Sequence, residues 1–380
     1  MTEKLFYTDS YIKEFSATVV SLTQVDDHFE CILDKTAFFP TEAGQSCDLG
    51  RIDCANVLDV KEMDGTIAHV LDKKPVGDKV FCEIEWKKRF RNMQNHSGEH
   101  IVSGLIKSLY GFDNVGFHLG SEDVTIDFNG TLTDSQLEEI ERKANEAVVT
   151  NIEIKAVFPS LSELEKMDFR SKIELKEGLR IVEIGDYDSC ACCAPHVKMT
   201  GEIGIIKLLN SIHYKGGTRL HILCGFDALS DYGMRFKNVK NISTLLSVKQ
   251  NEAYEAVLRL NEALTEEKAK NAALRAEIQR LRAEALPVCD KNRVVFCEED
   301  DYNFLRNYAN LLIKKTAEIT AVFSGNDKDG YKYVIGSDTV DLSSRVKEIN
   351  LVLRGNGGGR SNMIQGSVKA TKEEIISYFE

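Results

Sequence analysis

The chain has little of what would make it a linker-rich, secreted or membrane protein. Five prolines and 26 glycines in 380 residues argue against long disordered connectors. No stretch approaches the roughly 20 apolar residues needed to span a bilayer. The opening MTEKLFYTDSYIKEF lacks the apolar core of a signal peptide. The ten cysteines do not form the framework of a small secreted domain. These absences together predict a cytoplasmic protein with no membrane association, in a compartment where thiols more often bind metal or do chemistry than form disulfides. Net charge is −12, which speaks weakly against nucleic-acid binding by the chain as a whole. Three windows nevertheless contain no acid at all: 86–98, 203–226 and 349–372. The first carries Lys87, Lys88, Arg89 and Arg91, the second Lys207, Lys215 and Arg219, and the third Arg354, Arg360, Lys369 and Lys372. Two of them touch or follow candidate metal ligands, which raises the prospect of an anionic substrate there.

Residues 96–100 read HSGEH. Two histidines at i and i+4 share one face of a helix turn and can grip one metal ion. The same letters fit H-x-x-E-H, the inverted zinc-protease motif, with Glu99 as the base. Residues 187–197, YDSCACCAPHV, place three cysteines and a histidine within seven positions. Cys192 stands four before His196, a Cys-x-x-x-His pair that suits zinc, and the two pairs give His96, His100, Cys192 and His196. Cys190 and Cys193 are rival sulfur ligands, and a mononuclear site needs only one of the three. The peptidase reading needs a further carboxylate, for which ERKANEA offers Glu146, and it leaves CACCAPH unexplained.

Along the chain, residues 10–85 alternate in the strand manner in the runs FSATVVSLTQ, FECILDKTAFF (29–39), GTIAHVL and KVFCEIEW, with turn signals between them, reading as a small antiparallel β-barrel. A helix over 91–112, a strand VTIDF and a helix opened by Thr133 and Asp134 follow, an α+β pattern. From 243 to 286 the apolar residues fall at alternating steps of three and four, broken by Glu267 and Asn271 and ended by Pro287, which predicts one long helix or coiled coil. The last 90 or so residues read as a separate α/β domain. Its glycine-rich segment 355–359 lacks the strand, lysine and Ser/Thr of a P-loop and is expected as a loop.

Five segments then resemble one family in its own order. RNMQNHSGEHIVSGL (91–105) resembles the Arg-x-x-x-Gln-x-His-x-x-x-His segment of the alanyl-tRNA synthetase editing domain. AFFPTEAGQSCDLG (37–50), GFHLGSEDVTIDF (116–128) and IVEIGDYDSCACCAPHVKMTGEIGIIKL (181–208) resemble further stretches of the same domain. GNGGGRSNMIQGSVK (355–369) is similar to the glycine-rich signature of the DHH-associated domain. The whole resembles the stand-alone alanyl-tRNA editing proteins of the long-form AlaX family. Two departures stand out: Cys193, Ala194 and Pro195 replace the family's Gly-Gly-Thr, and Glu42, Ala43 and Gly44 stand where the family has Gly-Gly before Gln45. No synthetase catalytic segment and no Asp-His-His motif is present.

The resemblance implies an α+β protein in four parts. Residues 1–88 form an N-terminal barrel, 89–238 a zinc-dependent editing domain, 239–287 a long helix, and 288–380 a DHH-associated domain for tRNA binding or oligomerisation. It implies hydrolysis of serine, and perhaps glycine, from mischarged tRNA(Ala), with one zinc ion per chain on His96, His100, Cys192 and His196. A pocket sized for alanine rejects one added hydroxyl poorly, so a second hydrolytic site is needed. Gln45 and His118 are the candidates for handling water or supporting the ligands. Phe39, Thr41, Glu42 and Gly44 are the expected pocket residues. Lys87, Lys88, Arg89, Arg91, Arg354 and Arg360 are the expected tRNA contacts, and a homodimer through 243–286 or the last domain is expected. Alternatives are a non-catalytic zinc- or tRNA-binding protein of the same fold, and the zinc peptidase.

Overall fold

A computed structural model describes residues 1–120, 124–171 and 176–380. Residues 121–123, inside the segment 116–128 quoted above, lie outside the described residues, as do 172–175. The chain forms two compact units, Met1–Asn241 and Ile242–Glu380. The 88/89 boundary expected from sequence falls inside the first unit, within a helix.

In the first unit six strands close into a barrel in the order Glu14–Val25, His28–Leu33, Thr66–Leu71, Ala55–Met63, Gly50–Ile52 and Lys79–Ile84. The run KVFCEI alternates exposed and buried at every residue, the period-two signature of a strand with one wet face. Leu33, Ile52, Ile67, Leu71 and Cys82 fill the interior without exposure, each large apolar side chain contributing about 1.5–3 kcal/mol by burial. The sequence run 29–39 does not stay one strand. It stops at Leu33, and Lys35–Thr36 then pairs with Glu3–Lys4 instead.

The helix Trp86–Tyr110 leaves the barrel wall and is buried continuously from Asn92 to Ile106. One side packs on a four-stranded antiparallel sheet in the order Ile206–Tyr214, Gly217–Cys224, Val124–Phe128, Asn114–Leu119. Gly98 permits that approach, because a Cβ there would lie 2.3 Å from the Sγ of Cys224. A second sheet, Ile154–Val157, Ile181–Ile184 and Asp188–Ala191, reaches the helix at Gly104, where a Cβ would lie 2.1 Å from the carbonyl oxygen of Tyr187. The helix Asp134–Thr150 starts at a capping box between Thr133 and Gln136 and buries Ile140 and Ala144.

In the second unit the helix Ala253–Ala285 ends where Leu286, before a proline, turns extended. The single helix expected over 243–286 is interrupted. A preceding helix stops at Leu245, and a turn with a short 3-10 segment, Gln250–Glu252, precedes the long one. A five-stranded sheet follows in the order Arg293–Cys297, Thr320–Asn326, Gly330–Gly336, Met363–Val368, Gly355–Arg360. The glycine-rich segment expected as a loop is thus the edge strand of this sheet. Close packing requires glycine at three of its four glycine positions, Gly358 facing open space: a Cβ on Gly357 would lie 2.0 Å from the Tyr333 hydroxyl.

Candidate metal centre

Two elements converge on one point. The buried helix supplies His96 and His100, and the turn after the strand Asp188–Ala191 supplies Cys192 and His196. One donor atom from each of the four lies within 4.8 Å of the others. Cys192 Sγ is 3.6 Å from Nε2 of His96 and 3.5 Å from Nε2 of His196. Zinc bonds of about 2.3 Å to sulfur and 2.0–2.1 Å to nitrogen, at the tetrahedral angle, would set those atoms about 3.5 Å apart. Donor chemistry and spacing therefore both fit zinc.

The far nitrogen of each ring is held. His96 Nδ1 lies 3.0 Å from Gln45 Oε1, His100 Nδ1 2.8 Å from Asp188 Oδ2, and His196 Nδ1 3.0 Å from Ser97 Oγ. An acceptor on Nδ1 keeps the proton there and leaves the Nε2 lone pair for the centre, besides fixing the ring plane. Asp188 is itself gripped by Arg170, with Nε to Oδ1 at 2.7 Å and Nη2 to Oδ2 at 2.8 Å. Burial alone would raise the Asp188 carboxyl, but His100 and Arg170 hold it below the usual range. Burial alone would also raise the Cys192 thiol, but His96 and His100 pull it well below, which favours the thiolate, the form of the sulfur that can bind a metal. Burial works against charge on His100, yet Cys192 and Asp188 raise it well above its ordinary value. A field that favours a proton there favours a divalent cation among the same four groups. His196, pushed down to about 3 by burial, stays neutral.

Arg180 braces the turn. Its Nη1 donates to the carbonyl oxygens of Cys192 and Ala194, both at 2.9 Å. Gly44, at φ +74°, seats the loop of Gln45 on the neighbouring strand, where its carbonyl accepts from the Leu119 amide at 2.7 Å. A cleft of about 1250 Å³ opens over the cluster, lined by Glu42, Gly44, His96, Glu99, His100 and Cys192 among others.

Several sequence expectations land elsewhere. Of the thiols, Cys192 joins the four-donor set, Cys190 sits with His100 and Asp188, and burial together with Cys192 and Glu42 pushes the Cys193 thiol up. His118 is exposed. Its neighbour Phe117 turns inward with its ring 4.9 Å from His96, so strand alternation sends His118 to the opposite face, away from any water at the cluster. Phe39 is fully buried in the barrel core against Phe6 and does not line the cleft; Thr41 instead accepts the Cys47 amide. Arg89 is fully buried in an ion pair with Asp48 and cannot meet a phosphate. Arg91 pairs with Asp227 at 2.7 Å, and Lys88 donates to the carbonyl of Cys47. Lys87 and Arg360 are exposed; Arg354, also exposed, pairs with Glu374. In the middle basic window Lys207 pairs with Glu141 and Arg219 with Asp127. Glu146, the carboxylate that a peptidase would need, is exposed and paired with Arg142. Asp188, Arg170 and Ser97 went unread in the sequence. Asp188 stands four before Cys192, and that spacing was the one signal available.

A model of the threonyl and alanyl tRNA synthetase second additional domain matches residues 179–221, the stretch that carries Asp188, Cys192 and His196. The DHHA1 domain matches residues 293–380. That stretch is thus similar to the additional domain shared by those two synthetases. The alanyl-tRNA editing protein AlaX-L of Pyrococcus horikoshii is 31% identical, over 99% of this chain and 97% of its own. The alanine–tRNA ligases of Archaeoglobus fulgidus and Methanopyrus kandleri are 30% and 26% identical, over 99% and 100% of this chain but 43% and 44% of their own. The chain therefore spans less than half the length of those ligases. It belongs to the alanyl-tRNA editing protein family. Among the described residues no helix is long and apolar enough to cross a membrane.

Proposed function

We propose that the protein is a cytoplasmic trans-editing deacylase that hydrolyses the ester of mischarged tRNA(Ala), chiefly with serine and also with glycine. The observation that carries this reading is a thiolate and three imidazoles, each ring braced from behind, on the wall of a cleft large enough for a nucleoside and its amino acid. His96, His100, Cys192 and His196 would hold one zinc ion, which when bound supplies Lewis acidity towards an ester carbonyl or water. The rest is done by the chain. Gln45, Asp188 and Ser97 orient the imidazoles, Arg170 keeps Asp188 ionised, and Arg180 fixes the turn bearing Cys192 and His196. Glu42 and Gly44 line the cleft where the amino-acid side chain would enter. Lys87, Arg354 and Arg360 are the remaining candidates for tRNA phosphates. Self-association uses the long helix, whose Val257, Leu260, Leu264, Leu274, Ile278 and Leu281 are all between 45% and 64% exposed. Their spacing reads the same in both directions about Ala269, which suits an antiparallel pair.

The test is release of labelled serine from Ser-tRNA(Ala), with Ala-tRNA(Ala) as control, by zinc-loaded wild type and His100→Ala. The expected outcome is fast release of serine only, abolished in the variant. No release from either substrate by zinc-loaded wild type would overturn the reading in favour of a binding protein.

A further inference from the structure

The carboxylates around the cleft fall into three groups, and one residue stands alone. Asp188 is committed to Arg170 and His100. Glu62 pairs with Lys4 and Asp113 with Lys107, each at 2.6 Å. Glu42, Asp168 and Asp186 are exposed to water. Glu99 is 4% exposed, lines the cleft and immediately precedes His100. Its Oε1 accepts two hydrogen bonds, from the Ser103 hydroxyl and from Asn114 Nδ2, the latter at 2.6 Å. Asn114 Nδ2 also donates to the Ser103 oxygen at 3.1 Å, which locks the three groups together. The other oxygen, Oε2, turns towards the donor cluster, 3.9 Å from His100 Nε2. Among the described residues no lysine or arginine forms a direct ion pair with Glu99, although Arg170 is near enough to feel its charge.

A buried carboxylate is costly unless a cation or donors satisfy it. Here both donors serve one oxygen and the second faces the substrate space. We propose that Glu99 receives the α-ammonium group of the aminoacyl ester. This rests on the deacylase reading above. In any α-aminoacyl ester the ammonium stands on the carbon next to the carbonyl, roughly 3 Å from the carbonyl oxygen. An ester carbonyl held at the cluster therefore brings its ammonium to Oε2. The ligand class follows from the chemistry: esters with a free α-amine are accepted. Esters whose nitrogen is acylated, peptidyl esters included, lose the charge and place an amide against a carboxylate. The site would then spare nascent chains on tRNA while clearing single amino acids.

The test uses zinc-loaded full-length protein at pH 6.5, where an α-amine of ordinary pKa, about 7.7–8.0, is protonated. The probes are two acceptor-stem minihelices ending in a non-hydrolysable 3′-seryl amide, one with a free amine and one N-acetylated. Wild type should bind the free amine about ten- to hundredfold more tightly, the range of a charge-assisted hydrogen bond. Glu99→Gln keeps the acceptor for Ser103 and Asn114, so zinc content should be unchanged while the preference disappears. Glu99→Asp should keep part of it. Equal binding of both probes by wild type, or a preference that survives in Glu99→Gln, overturns the assignment, and the wild-type comparison stands even if a variant does not fold. Hydrolysis of Ser-tRNA(Ala) without amine preference would sink this assignment and spare the deacylase reading. Amine preference without hydrolysis would do the reverse.

Discussion

His69 and His100 are both buried imidazoles, at 0% and 2% exposure, and they have opposite fates. His69 sits inside the barrel with both nitrogens used up by the fold: Nδ1 lies 3.0 Å from the Cys31 carbonyl and Nε2 2.9 Å from the Thr36 hydroxyl. Burial pushes it down to about 4, and it stays a neutral core residue against Phe38. His100 uses only Nδ1, on Asp188, and leaves Nε2 facing a thiolate and two more rings. Burial of a histidine therefore says nothing about function until the partner of its second nitrogen is known. The candidate metal centre is the place where three second nitrogens are left over at once.

The largest effect that would break this contrast is loss of the group on which those nitrogens converge. Cys192→Ala should abolish zinc binding and serine release together, whereas Cys190→Ala and Cys193→Ala should each retain one zinc per chain by metal analysis. Zinc retained in Cys192→Ala and lost in either of the others would move the centre to a different sulfur. His69 offers the next effect, on stability. Its folded pKa, about 4, lies below the ordinary 6.5. Its contribution is complete above about pH 6.5 and is lost as pH falls towards 4, because the unfolded chain takes up the proton first. At 1.36 kcal/mol per unit the loss is roughly 3 kcal/mol. His69→Gln cannot titrate. Denaturant midpoints at pH 7.5 and 4.5 should therefore drop further in wild type than in the variant, with zinc content at pH 7.5 the same in both. Parallel drops would mean that His69 is protonated in the fold.

What the sequence made legible follows the same division. The clustering of the two pairs could be read because helix and turn spacing is local: His96 to His100 and Cys192 to His196 are each four residues. The barrel was readable where alternation was strict, as in KVFCEI, and was missed in Gly50–Ile52, three residues long, and in Ala55–Met63, where a register shift between Val57 and Asp59 breaks the alternation and Leu58 and Met63 face outward. The supports of the site were not readable. Asp188 to His100 and Ser97 to His196 are contacts between elements 88 and 99 residues apart, and no spacing rule reaches that far. Basic windows misled for a related reason. Charge along the chain cannot tell a cation that faces water from one folded onto a carboxylate elsewhere.

Arginine repeats the histidine contrast, and its exposed member, Arg360, gives the smallest of the expected effects. Arg89 spends its guanidinium inside the fold, on Asp48 and the carbonyls of Ser10 and Ala37, whereas Arg360 ends the edge strand of the second unit and is exposed. Arg89→Ala leaves a buried aspartate unpaired and should cost about 3–5 kcal/mol of stability. Any change in tRNA affinity should then follow unfolding. Arg360→Ala should leave the denaturant midpoint and zinc content where they are and weaken tRNA binding alike for charged and uncharged tRNA. The slope of log affinity against log salt should fall by about one, the signature of a single lost phosphate contact. A salt slope that moves with Arg89 and not with Arg360 would place the RNA path along the histidine helix and away from the glycine-rich edge.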